Sequence, residues 1–162
     1  MKNKYLISLF CCIHIFSGCT WFGASENGTE EEFDGFSEKY FYEKKYIFTN
    51  GSHDHVKNIT KQLGIDGLFD GAFDITDAEY KPKPEPMAFD LMTRKFDLNP
   101  SETIYVEDIA KNLSIGKKRG CTTVWLINDE HFGKMDSDKE YISHKIENLS
   151  LFLKEIRLLK SQ

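Results

Sequence analysis

Thr49, Lys83 and the adjacent pair Glu107-Asp108 are the residues whose types and surroundings suit chemistry on a phosphoryl group. Thr49 and Asn50 follow the apolar run KYIF and precede Gly51-Ser52, so they stand just before a predicted helix whose free N–H groups and dipole attract an anion. The group suited to that pocket is a phosphate, although a hydroxyl beside a glycine serves equally as an ordinary helix cap. Lys83 lies between Pro82 and Pro84. The two rings restrict its backbone, and a fixed cation can neutralise charge developing on a phosphoryl group. Lys81 is close by but has no proline before it. Glu107 and Asp108 end the run TIYV with two carboxylates, hard oxygen ligands of the kind magnesium takes, or else a cap for the helix that follows.

The elements that must position these residues alternate between strand and helix signals. Lys45 to Phe48 reads as a short buried strand. Val56, Ile59 and Leu63 then recur at helical spacing, with Ser52 as N-cap, Asp54 in the first turn and Gly64 as the stop. A strand is predicted around Ala72 to Ile75, an extended stretch from Lys81 to Pro86 because each proline keeps its predecessor out of the α region, and a helix from Met87 to Phe96. Asn99-Pro100-Ser101 is a turn, Thr103 to Val106 a strand, Ala110 to Arg119 a helix stopped by Gly120, and Thr122 to Ile127 a further buried strand. Tyr141 to Ile146 is predicted as another strand, after which Asn148 caps an amphipathic helix through Leu149, Phe152, Leu153, Ile156 and Leu159. Strands separated by helices imply right-handed crossovers and a parallel sheet covered on both faces, with its site at the strand carboxyl ends.

Taken together, YIFTNGSHDHV, AEYKPKPEPMAFD, IYVEDIAKNL and GCTTVWL resemble the C-terminal half of haloacid-dehalogenase-superfamily phosphatases, closest to the pyrimidine 5'-nucleotidase branch, over roughly residues 45–155. The resemblance implies an α/β, Rossmann-like core with helices on both faces of a parallel sheet, and a magnesium-dependent phosphomonoesterase by lineage. It assigns phosphoryl binding to Thr49 with Asn50 beside it, the catalytic lysine to Lys83, and the acidic metal-binding motif to Glu107 and Asp108. Of these two Asp108 is the expected direct Mg2+ ligand. Asn112 matches a position that supports the acidic loop. The implied substrate is a small phosphorylated molecule such as a nucleoside monophosphate.

The family's reaction requires an aspartate nucleophile and a second aspartate two residues on, both in a DxDxT motif after the first strand. No DxDxT occurs in the sequence. Asp34 follows an acidic run and has no second Asp or Thr at the right spacing. Aligning CIHIFSGCTWF on the motif matches Thr20 but puts Phe16 and Gly18 at the aspartate positions. The expectation is a partial core, without its cap, that binds but does not turn over. The alternatives are a non-catalytic pseudoenzyme or gene remnant that binds a phosphorylated ligand, and one half of a split enzyme completed by a chain carrying the missing motif.

The first-motif strand of such a sheet lies between the strands ending at Thr49 and Asp108, and an empty slot there would leave backbone groups unpaired. YLISLFCCIHIF is the segment apolar enough to fill it. The same run, after basic MKNK and before Ser17-Gly18-Cys19, also reads as a bacterial lipoprotein signal acylated at Cys19. Residues 1–22 are therefore either signal-like or a surrogate strand, 23–44 a linker, and 45–160 the partial core. A cytoplasmic location is expected, with membrane attachment only through a lipidated Cys19. In 162 residues, 21 Lys and Arg against 26 Asp and Glu repel a nucleic-acid polymer, while 40% hydrophobic residues suffice for one packed core. His53-Asp54-His55 and the group Asp136, Asp138, Glu140 read as solvated surface, and Cys121 as a small core residue.

Overall fold

Lys45–Phe48 combines aromatic and β-branched residues, and all four positions are buried, as a strand covered on both faces requires. The architecture built around it was obtained as a computed structural model, which describes residues 4–7, 44–128, 130–149 and 151–152. Its strands are β1 (Lys4–Ile7), β2 (Lys45–Phe48), β3 (Gly71–Phe73), β4 (Thr103–Glu107), β5 (Thr122–Leu126) and β6 (His144–Ile146). They form one parallel sheet in the order β3-β2-β1-β4-β5-β6. Helices α1 (His53–Gln62), α2 (Pro86–Lys95) and α3 (Leu113–Lys118) connect them. The chain winds outward from β1 through β2 to β3, then returns to β4 and winds the other way. The boundary between β1 and β4 is thus the switch point, outside whose carboxyl ends a parallel sheet offers its crevice.

β1 fills the central slot, with Leu6 opposite Tyr46 and Ile7 opposite Val106. It lies upstream of CIHIFSGCTWF, the stretch that best aligned with the first motif. The residues following β1 in the sequence, Ser8-Leu9-Phe10, carry no carboxylate. Residues 8–43 lie outside the described residues. With them lie Cys19, Phe16, Gly18, Thr20, Asp34, nearly all of the predicted linker, and the place where a cap would be inserted. No helix among the described residues is long and apolar enough to cross a membrane.

The helix signals are realised locally. Ser52 caps α1, its Oγ accepting the His55 N–H at 3.3 Å, and Gly64 and Gly120 take positive φ just beyond α1 and α3. α2 starts with Pro86 at its first position and buries Ala88, Phe89 and Met92 against Phe48, Phe73 and Tyr105. Phe48 and Tyr105 each meet the Phe89 ring edge-on, so one aromatic cluster joins β2, β4 and α2.

Four expectations are corrected. Residues 81–86 are not extended throughout: the Glu85 N–H donates to Pro82 O at 2.9 Å, closing a turn that contains a cis Lys83–Pro84 peptide. The proline rule restricts single residues and does not prevent the chain from reversing between them. The predicted helix 110–119 begins as a 3-10 turn over Ala110–Asn112 and becomes α-helical only at Leu113. The last strand is His144–Ile146, because the Ile142 N–H donates to Lys139 O at 3.2 Å and keeps residues 139–142 in a turn. The strand predicted over residues 72–75 likewise sits slightly earlier, at Gly71–Phe73. Asn148 does act as a cap, its Oδ1 accepting the Leu151 N–H at 3.0 Å; Leu153, Ile156 and Leu159 lie outside the described residues.

Gly116 in α3 faces the fully buried Tyr105 ring so closely that an added Cβ would come 2.4 Å from Tyr105 Cδ1. Gly116→Ala should therefore destabilise the fold by about 1–3 kcal/mol despite alanine's better helix propensity. Equal or higher stability in urea denaturation would contradict this packing.

Candidate functional site

Strand β2 ends at Phe48, and the Phe48 carbonyl accepts a hydrogen bond from Lys83 Nζ at 2.8 Å. The same ammonium donates to Glu107 Oε1, at the end of β4, in an ion pair whose two side chains are wholly shielded from solvent. It also stands 5.0 Å from the Phe48 ring centroid, a cation–π distance. The backbone of the turn is tied down as well, since the Lys83 N–H donates to Asn50 Oδ1 at 2.7 Å. Lys83 thus reaches from the β3–α2 connection to both strands that flank β1.

Glu107 does not rely on Lys83 alone. Its Oε1 accepts from the Tyr105 hydroxyl at 3.1 Å and its Oε2 from Asn112 Nδ2 at 3.4 Å. Burial, first, and then the neighbouring Glu107 charge hold the Tyr105 hydroxyl well above its ordinary pKa, so it remains a donor. Thr49 is buried one residue beyond Phe48. Its N–H donates to Phe73 O and its Oγ1 accepts the Gly51 N–H, both at 3.0 Å, which orients the hydroxyl at the start of α1.

Asp108 behaves differently from these residues. It is 8% exposed, and its Oδ1 is buried without any hydrogen-bond partner. Burial, reinforced by the charge of Glu107 and opposed by Lys83, pushes its carboxyl up to about 8. Its main-chain carbonyl is held twice, by Trp125 Nε1 at 3.0 Å and Asn128 Nδ2 at 2.8 Å. Among the described residues no three His, Cys, Asp or Glu side chains gather into a metal cluster. Asp108 and Glu107 are adjacent carboxylates, of which Glu107 is engaged by Lys83, Tyr105 and Asn112.

Thr49, Asn50, Lys83, Glu107, Asp108 and Asn112, singled out in the sequence, therefore meet at the carboxyl ends of β2 and β4. The sheet order puts them at the switch point. Comparison with known proteins identifies the family that shares this fold. The sequence profile described as a hydrolase, haloacid dehalogenase-like hydrolase, matches residues 28–120, more than half of the chain. The chain belongs to this family. No curated protein matches the sequence.

Solved structures share the haloacid dehalogenase-like fold at low identity. The core domain of a candidate phosphoglycolate phosphatase from Streptococcus pneumoniae is 18% identical over 100% of this chain and 98% of its own, at TM-score 0.60. The HAD-hydrolase YfnB from Bacillus subtilis, bound to magnesium, is 18% identical over 78% of this chain and 53% of its own, at 0.59. The L-2-haloacid dehalogenase from Xanthobacter autotrophicus is 17% identical over 71% of this chain and 55% of its own, at 0.57. The chain spans about half the length of the dehalogenases it matches.

Tyr105, Trp125 and Asn128 also shape this haloacid dehalogenase-like site and were not read from the sequence. Tyr105 lies two residues before Glu107 and hence on the same face of β4, a period-two relation that could have drawn attention to its hydroxyl. Trp125 and Asn128 lie in and just after β5, at the edge of the sheet where the other site residues were sought. Cys121 is confirmed as a core thiol, its pKa pushed up to about 12 by burial.

Asp108 gives the protein a testable pH dependence. The unfolded chain releases this proton near 3.8 and the folded protein near 8, so the folded state binds more protons within that window. Its stability contribution is therefore lost as pH rises from about 4 to 8. Asp108→Asn should match the parent near pH 4 and exceed it in Tm by a margin that widens up to pH 8, measured without divalent ions. A constant margin would show that Asp108 is not a strained buried acid.

Proposed function

We propose that the chain is a magnesium-dependent, 5'-nucleotidase-type phosphohydrolase core that retains the binding half of the reaction and lacks the covalent half. The observation that carries this reading is the buried Lys83 ammonium, joined to the ends of both β2 and β4. In this reading Thr49 and the N–H groups at the start of α1 take the phosphoryl oxygens, Asn50 holds the turn that presents Lys83, and Lys83 neutralises the phosphoryl charge. Glu107 fixes the lysine with help from Asn112.

The residues present fit a divalent cation. Asp108 offers a hard oxygen whose Oδ1 is buried, without a partner, and costly to ionise unless a positive charge arrives. Glu107 stands next to it, though engaged by Lys83. Magnesium, when bound, supplies Lewis-acid neutralisation of phosphoryl oxygens. The rest is done by Thr49, Asn50 and Lys83, which bind and orient the anion and withhold it from bulk water.

Breaking the phosphoester needs a nucleophile at the end of the central strand, and Ser8-Leu9-Phe10, Phe16 and Gly18 supply no carboxylate. The substrate class by lineage is a small phosphomonoester such as a nucleoside monophosphate, bound and released unchanged. Filling of the slot between β2 and β4 by this chain's own Lys4–Ile7 favours a non-catalytic binding protein over one half of a split enzyme. Attachment to a membrane would depend on Cys19.

Calorimetry with UMP and magnesium tests the reading on the full chain. The parent should bind. Thr49→Val, which removes the hydroxyl but keeps the shape, should weaken binding about tenfold, equivalent to roughly 1.4 kcal/mol. Hydrolysis of UMP or p-nitrophenyl phosphate should not exceed the buffer rate. Turnover that disappears in Lys83→Ala and Asp108→Asn would overturn the claim of inactivity.

A further inference from the structure

Asp108 Oδ1 is buried without a hydrogen-bond partner, so the peptide that carries the side chain has a large part in setting the direction of the carboxylate. That backbone is gripped from a single quarter, β5 and the segment following it. Asn128 Nδ2 at 2.8 Å and Trp125 Nε1 at 3.0 Å both donate to the Asp108 carbonyl, which uses its two lone pairs. Two residues on, the Ala110 N–H donates to Gly133 O at 3.1 Å. The Asn128 amide is itself oriented, because its Oδ1 accepts the Glu130 N–H at 3.1 Å, and exchanging oxygen and nitrogen would break both bonds.

Gly133 leaves the room this arrangement needs. It is buried, and a Cβ there would come 2.2 Å from Asn128 Oδ1 and 2.7 Å from Asn128 Nδ2. A methyl group at position 133 would displace the Asn128 amide without removing any polar group from the site.

We infer that Asn128 is a positioning residue for the cation ligand Asp108, acting through the Asp108 carbonyl, and that Gly133 is required because it gives Asn128 space. The inference rests on the reading of Asp108 as a divalent-cation ligand. Trp125 supplies the second donor from β5, so loss of Asn128 leaves the peptide held at one lone pair, free to tilt about that bond. A tilted peptide turns the carboxylate away from the phosphoryl pocket while leaving Thr49 and Lys83 where they are.

The test uses the full-length chain with Mn2+ as a paramagnetic probe, followed by electron spin resonance, and inorganic phosphate without metal, followed by calorimetry. Asn128→Ala and Gly133→Ala should each weaken Mn2+ binding about tenfold and leave metal-free phosphate affinity within about twofold. A general loss of structure would reduce both, so the split separates positioning from folding. Asp108→Asn should abolish Mn2+ binding. If the parent does not bind Mn2+, or Asp108→Asn binds it as well as the parent, the cation reading itself fails and the inference falls with it. If Asp108→Asn loses Mn2+ but Asn128→Ala keeps parental affinity, the inference alone is overturned. Should Gly133→Ala not fold, Trp125→Phe takes its place, removing the other donor with the same expected split.

Discussion

A lysine and a glutamate with no access to water hold the two halves of the sheet in register at its working edge. β2 and β4 are not neighbours; β1 lies between them, so their ends are separated by about two strand spacings, roughly 9.5 Å. Lys83 spans that gap with one ammonium, bonded to Phe48 O on one side and to Glu107 on the other. Removing two charges from water is expensive, and the mutual attraction repays it only if the remaining valences are satisfied. Here they are, by Tyr105 and Asn112 on the glutamate and by the Phe48 carbonyl and ring on the lysine. Taking away either partner would leave a buried charge, a loss of about 3–5 kcal/mol.

Much else follows from housing that pair. The Pro82–Glu85 turn presents Lys83 from the β3–α2 connection, with Asn50 holding its backbone. The Tyr105 hydroxyl reaches Glu107 from within the core while its ring packs against α3, and only a glycine at position 116 lets the helix approach that closely. Phe48, Phe89 and Tyr105 close the apolar shell around the polar knot, which strengthens each bond inside it and raises the cost of leaving one unmade.

Local signals made the frame legible in the sequence. KYIF, TIYV and TTVWL are apolar runs too short for helices, and Ser52, Gly64 and Gly120 carry the expected punctuation. Thr49, Glu107 and Asp108 were visible because each sits at the end of such a run, and Lys83 because two prolines frame it. What could not be read was set by partners far away in the chain. Asn50 and Lys83 are 33 residues apart, and nothing local says that an amide will accept the lysine N–H and bend a proline-rich segment into a turn. Tyr105 looks like any aromatic strand residue until Glu107 is seen to be buried. Asn128 and Gly133 fall in a polar stretch whose composition signals only surface, yet Asn128 grips the Asp108 carbonyl across 20 residues of sequence and the Gly133 carbonyl accepts the Ala110 N–H. Residues 139–142 satisfy their hydrogen bonds in a turn, a choice that apolar content does not reveal.

The site residues divide according to what the fold needs from them, and the division decides which of them speak for a ligand. Lys83, Glu107, Asn50, Asn112 and Tyr105 are bonded to one another or to strand ends, so they would be required for stability even in a protein that bound nothing. They give the pocket its shape whether or not it is filled, and in Lys83 they place a cation at its floor. Asp108 is the opposite case. Its side chain leaves an oxygen without a partner, its ionisation is opposed by burial and by Glu107, and an amide of the same shape would relieve the repulsion. Under the proposed function a small divalent cation would neutralise this carboxylate and take its hard oxygen as a ligand. The structural residues frame the pocket, and Asp108 is the group that the proposed cation would relieve.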